Sequence, residues 1–186
     1  MISSGDKIYS ICVIRGGPSH EYNLSLDSGA HVLMNLEGRH NTHDILIDRE
    51  GRWFRSGKNV RPEQAFWDID VAVNALHGEY GEDGTVQELL RDIKLAHTGS
   101  DVMASSLAMN KILAYRTFKS HGLKVPASNV VDLRDLHSLD HSQYDLPAVV
   151  KPADRGSSMG VSIVRRIDDI RDALDKAFSY STRALI

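Results

Sequence analysis

Residues 146–164 read LPAVVKPADRGSSMGVSIV. An apolar run ends in Lys151, passes through a loop containing Gly156 and Gly160, and resumes at once as a second apolar run. Two short β-rich runs joined by glycines and serines predict an antiparallel hairpin with a flexible tip. Lysine is costly to bury, so its place at a strand end beside such a loop calls for a reason. Two glycines let backbone N–H groups turn toward an anion, the hydroxyls of Ser157 and Ser158 add donors, and Lys151 adds a point charge. That set suits a cover over a phosphate chain. Pattern alone also describes a plain mobile hairpin with a surface lysine, because glycine-rich turns are common. Neither the Walker A loop nor the G-x-G-x-x-G dinucleotide fingerprint is present.

Working outward, ASNVVDL (127–133) and the final RALI (183–186) read as further short strands. Ile170, Leu174 and Phe178, four residues apart, mark a helix between them. The second half therefore reads as a small antiparallel α+β unit. A helix is predicted from Ser105 to His121, with Leu107, Ala114 and Phe118 on one stripe, a stop at Gly122 and Pro126 beyond. Lys111, beside Asn110 on that helix, reads either as a solvated surface lysine or as a phosphate ligand.

The first half alternates strand, loop and helix. Strands are expected at Lys7–Ile14, at THDILI (42–47), briefly after DREGRWF (48–54), and at DIDVAVNAL (68–76). Ser25 is the expected N-cap of a helix carrying Leu26, Ala30 and Leu33, and Asp83 that of one carrying Val86, Leu89, Leu90 and Ile93. The fold class is thus α/β, an open mostly parallel sheet domain over residues 1–104, followed by the antiparallel α+β subdomain over 105–186.

The 186 residues are 41% hydrophobic and 25% charged, enough to bury a real core. A net charge of −3 gives no general pull toward nucleic acid or anionic membrane, so neither is an expected partner. The single cysteine, Cys12, cannot form an internal disulfide and reads as a small buried thiol. No apolar run has membrane-spanning length and the first one lacks the marks of a signal peptide, so the cytoplasm is the expected compartment. His20 and Glu21 follow the first strand and His77 directly follows the fourth, at the carboxyl edge where open sheets build ligand sites. An acid and an imidazole there could hold an amine and a carboxylate. GEDG (81–84) reads as turn chemistry feeding a helix. The other histidines lack metal-ligand spacing, and no metal site is expected.

Four stretches, GGPSHEYNLSLDSG (16–29), ALHGEYGEDGTVQELL (75–90), TGSDVMASSLAMNKILAYRTFKSHGLKVP (98–126) and the opening hairpin, resemble in order and spacing the D-alanine–D-alanine ligase family of the ATP-grasp superfamily. The resemblance implies an ATP-dependent carboxylate–amine ligase of cell-wall peptidoglycan biosynthesis, which phosphorylates one D-alanine and couples the acyl phosphate to the amine of a second. It implies that Glu21 holds the first D-alanine's ammonium, that His77 lies near its carboxylate with Leu24 in the same subsite, and that Lys111, Lys151, Ser157, Ser158 and Gly160 contact the ATP phosphates. Ser157 also matches a serine that links the loop to the acid, so Glu21 and Ser157 are the expected catalytic pair. Asn23 and Leu24 depart from the acid and valine common in the family. ATP and Mg²⁺ are the implied cofactors, D-alanine and ATP the small-molecule partners, and a homodimer through the first domain the implied assembly. The family's C-terminal lobe, with its metal-binding acids, has no counterpart in these residues, so the chain by itself is expected to be inactive. A non-catalytic amino-acid and nucleotide-binding module is the alternative reading.

Overall fold

The computed structural model describes residues 7–186. Two compact units meet between Ser106 and Leu107. In the first, the apolar runs form β1 (Ser10–Gly16), β2 (Asn41–Ile47) and β5 (Val71–Asn74), with a hairpin of β3 (Trp53–Arg55) and β4 (Lys58–Val60) on one side and a two-residue β6 (Ala96–His97) on the other. Strand order is β4-β3-β2-β1-β5-β6. β2, β1, β5 and β6 run parallel, and the β3–β4 hairpin is antiparallel. Cys12, Ile14, Ile45, Ile47, Val86 and Leu90 form the middle of its core. Burying an aliphatic side chain of this kind contributes roughly 1.5–3 kcal/mol. Burial also pushes the Cys12 thiol up to about 12, consistent with an inert packing role.

Helices α1 (Tyr22–Leu36), α2 (Pro62–Ala65) and α3 (Thr85–Asp92) complete this unit's elements, and α4 (Val102–Met109) crosses its boundary. β1 begins three residues later than the predicted Lys7 and runs to Gly16. The short elements α2, β4 and β6 carry too few residues to show a period, which is why the sequence pattern misses them. α1 approaches β1 closely because Gly29 has no side chain: a Cβ there would lie 2.6 Å from Arg15 Cβ. Arg15 lies across that gap and makes a two-pronged ion pair with Asp44 at 2.8 and 2.7 Å.

The second unit is a four-stranded antiparallel sheet in the order β7-β10-β8-β9, made by β7 (Val130–Asp132), β10 (Arg183–Leu185), β8 (Ala148–Pro152) and β9 (Ser162–Val164). Helix α6 (Ile170–Phe178) packs Ile170 and Leu174 on Val131, Val150, Val164 and Ala184. The single helix predicted over Ser105–His121 is instead two, α4 and α5 (Lys111–Ser120). Asn110 breaks it: its backbone is extended and its side chain accepts the N–H groups of Ile112 and Leu113 at 3.1 and 3.2 Å, an N-cap in the middle of the apolar pattern. The buried face of α5 is accordingly Ile112 and Ala114, while Phe118 is exposed. Among the described residues no helix is long and apolar enough to cross a membrane.

Candidate functional site

In the first unit the carboxyl ends of β1 and β5 lie side by side, since the two strands pair in register from Ile11 opposite Val71 to Ile14 opposite Asn74. Three serines tie the loop and helix after β1 to the exit of β5. Ser19 Oγ donates to His77 O at 2.7 Å and accepts from Glu21 N at 3.1 Å. Ser25, the expected N-cap, instead lies within α1, fully buried: it accepts from Gly16 N and donates to Ala75 O, both at 2.8 Å. Glu21 takes the cap position, with no side-chain cap bond. Ser28 Oγ lies 2.9 Å from His77 Nε2.

These ties bring Glu21 and His77 to one edge. The Glu21 carboxylate lies directly over Gly78, where a Cβ would come 2.5 Å from Oε2. Gly78 is buried with φ +70°, so glycine is required there twice over. The GEDG turn is fixed from inside. Asp83 accepts from Tyr80 N and Thr85 N at 2.9 Å each, while Asn74 and Gln87 both donate to Gly81 O. Asp83 therefore organises the approach to α3, although the cap residue itself is Gly84 at φ +103°. Glu82 sits 3.6 Å from His77 Nδ1. Leu24 is half exposed on the first turn of α1, and Asn23 accepts from Arg49 at 3.1 Å, with the Arg49 guanidinium 4.3 Å over the Tyr22 ring.

In the second unit Asn110 places Lys111 at the first position of α5, with its backbone N–H on Ala153 O at 2.8 Å and its ammonium donating to Arg155 O. Lys151, near the end of β8, donates to the Tyr115 hydroxyl at 3.1 Å, one helical turn beyond Lys111. Two cations thus face the base of the β8–β9 loop. Partial burial lowers the Lys111 pKa first, and the neighbouring charge of Lys151 lowers it further, against an opposing pull from Asp154. Ser157 and Ser158 are exposed at the loop tip with left-handed backbones, φ +48° and +60°, a conformation that costs roughly 1–2 kcal/mol per L-residue. Such strain gathers at ligand clamps. Gly160 is buried at φ +68°, and packing adds to its need for glycine, since a Cβ there would lie 2.7 Å from the Tyr180 ring and 2.8 Å from Pro152.

Among the described residues no group of three or more His, Cys, Asp or Glu side chains could hold a metal ion.

An open α/β unit followed by an antiparallel unit with a lysine-flanked glycine–serine hairpin is the architecture of ATP-grasp proteins. The model of the D-ala D-ala ligase C-terminus matches residues 117–186. The chain is 41% identical over 181 residues to the D-alanine--D-alanine ligase of Geotalea uraniireducens, covering 97% of this chain and 56% of that one. The solved D-alanine-D-alanine ligase of Coxiella burnetii superposes with a TM-score of 0.85 at 24% identity, over 96% of this chain and 63% of that one. The VanG D-Ala:D-Ser ligase of Enterococcus faecalis does so at 0.82 and 25% identity, over 96% and 62%. The chain belongs to the D-alanine–D-alanine ligase family. It spans about half the length of the curated relatives it matches.

Sequence reasoning named Glu21, His77, Lys111 and Lys151 but missed the residues that hold them. Ser19, Ser28 and Asn74 carry no periodic or charge signal. The one available hint was the recurrence of three serines at 19, 25 and 28 beside a strand exit.

Proposed function

We propose that this chain forms the amino-acid-binding and phosphate-covering part of a cytoplasmic, ATP-dependent D-alanine–D-alanine ligase of peptidoglycan synthesis. The observation that carries the reading is the pairing at one sheet edge of an acid, Glu21, with an imidazole, His77, which are complementary to the two ends of an amino-acid zwitterion. Glu21 takes the ammonium, His77 the carboxylate, and Leu24 flanks the methyl group. In the second unit Lys111 and Lys151 neutralise the phosphates, while the serines and backbone of residues 157–160 close over them. ATP supplies the phosphoryl group that activates a carboxylate for attack by an amine, and excluding water protects the acyl phosphate so formed. Glu21 in the first unit and Ser157 in the second carry the catalytic roles. Mg²⁺ is held by carboxylates outside the described residues, and two copies pair through the first unit.

The test is D-alanine-dependent phosphate release from ATP, measured on this chain and on the chain completed to the length of its relatives. Release by the completed protein that falls at least 10²-fold in Lys151→Ala, roughly the cost of removing one preorganised charge, supports the reading. Completed protein without D-alanine-dependent release contradicts it.

A further inference from the structure

We propose that Ser28 is a positioning residue that holds the His77 ring at Nε2 while Glu82 selects the Nδ1–H tautomer, so that the ring offers a donor on the side where the substrate carboxylate arrives. Ser28 occupies the face of α1 that looks toward the β5 exit, one turn after the fully buried Ser25, and its hydroxyl is within hydrogen-bond distance of His77 Nε2 at 2.9 Å. The His77 carbonyl is fixed independently by Ser19 at 2.7 Å, so backbone and ring are held from two different elements. On the other side of the ring the Glu82 carboxylate stands 3.6 Å from Nδ1, an ion-pair distance and longer than a hydrogen bond.

A neutral imidazole carries one proton on two nitrogens, and its partners decide which. A carboxylate accepts only, so Glu82 draws the proton to Nδ1. A serine hydroxyl gives or accepts, so Ser28 then donates to the Nε2 lone pair. Glu82 therefore selects the tautomer, and Ser28, which fits either one, holds the ring. They differ in tightness: the Ser28 contact is a close bond from a helix, whereas Glu82 is loose and its side chain is 50% exposed on a turn. An arriving carboxylate displaces the loose partner and takes over its position at Nδ1–H. Glu82, which the sequence left without a role, marks where a carboxylate sits against this ring. Only the identity of the ligand in this inference rests on the ligase reading.

The experiment is ¹⁵N-detected NMR of the histidine rings in the 186-residue chain at neutral pH, with His77→Asn to assign the signal, followed by D-alanine titration of wild type, Ser28→Ala, Ser28→Thr and Glu82→Gln. Expected are an Nδ1–H signature in wild type, retained in Ser28→Thr and Ser28→Ala and weakened in Glu82→Gln. D-alanine affinity should fall about 2- to 10-fold in Ser28→Ala, the worth of one ordinary hydrogen bond, and should not fall in Glu82→Gln. An Nε2–H signature in wild type overturns the proposal without recourse to any variant, and so does D-alanine affinity that is unchanged in Ser28→Ala. If D-alanine leaves wild-type His77 unmoved while the ring signals shift in Ser28→Ala and not in Ser28→Thr, the ligand assignment fails and the positioning role stands.

Discussion

Replacing Gly78 by alanine separates the backbone role of this glycine from its role beneath the carboxylate. At φ +70° an alanine bears a left-handed penalty of about 1–2 kcal/mol. Its Cβ would also lie 2.5 Å from Glu21 Oε2, 3.5 Å from Glu21 Cδ and 3.6 Å from Ser19 Cβ. The last two are ordinary contacts, and the first involves the far end of a flexible side chain, so the clash adds little to the loss of stability. It has a geometric consequence instead, because Oε2 must retreat from 2.5 Å to the 3.4 Å at which ordinary contact begins. Gly57→Ala is the control: φ is +76° there and no atom lies within 4 Å of the added Cβ. Both variants should lose similar stability in urea unfolding, with melting temperatures down by roughly 4–15 °C for a unit of this size. Only Gly78→Ala should lose D-alanine affinity, by roughly 10- to 100-fold, the value of one charge-assisted hydrogen bond. Calorimetric titration of the two variants decides the matter. Equal D-alanine affinity in both would refute the placement of the ammonium on Glu21.

Other expectations follow from the same geometry. Ser25→Ala strands Gly16 N–H and Ala75 C=O in the core and should cost about 2–6 kcal/mol in urea unfolding, at roughly 1–3 kcal/mol per orphaned group. His43, 3.2 Å from both Arg55 and Ser10, has its pKa lowered by burial and then by the Arg55 charge, against an opposing pull from Asp68. The unfolded state therefore binds the proton more readily. Stability from this group is complete above the ordinary histidine pKa of about 6.5 and drains away as pH falls through the lower folded value. His43→Gln should flatten the slope of urea midpoint against pH between neutral and mildly acidic conditions. In the second unit Lys151→Met should raise the Lys111 pKa part of the way back, by removing the second of its two lowering causes and leaving burial in place. NMR titration of the lysine side-chain signals reads this directly, and an unmoved Lys111 would mean that the two ammonium groups do not face one another. Without nucleotide, residues 154–160 should exchange their amide hydrogens faster than the strands on either side, as a loop that opens to admit phosphates must.

The sheet was legible because its strands are continuous apolar runs: ICVI and VAV are the middles of β1 and β5, and their pairing follows from the alternation with helices. The hairpin of the second unit was legible for a similar reason, its glycines and serines falling between two β-branched runs. The long helix was not. Asn110 looks like any polar residue in an amphipathic pattern, and its capping role depends on an extended backbone that the pattern does not encode. Ser25 was placed on the right element but in the wrong role, because a serine before an apolar period looks like a cap whether it faces solvent or the core. Gly78 gave no local signal at all, and Ser28 only the recurrence of serines beside a strand exit. Their importance comes from a neighbour about 50 residues away, which appears only once β1 and β5 lie side by side.

The central claim, that the edge formed by Glu21 and His77 receives an amino acid, is tested most directly by backbone NMR of the 186-residue chain titrated with D-alanine and, separately, with L-alanine. The account predicts saturable shifts at residues 19–28 and 75–82 with D-alanine, weaker or absent shifts with L-alanine, and loss of the D-alanine response in Glu21→Gln. Identical responses to the two enantiomers, or D-alanine shifts confined to other parts of the chain, would contradict it.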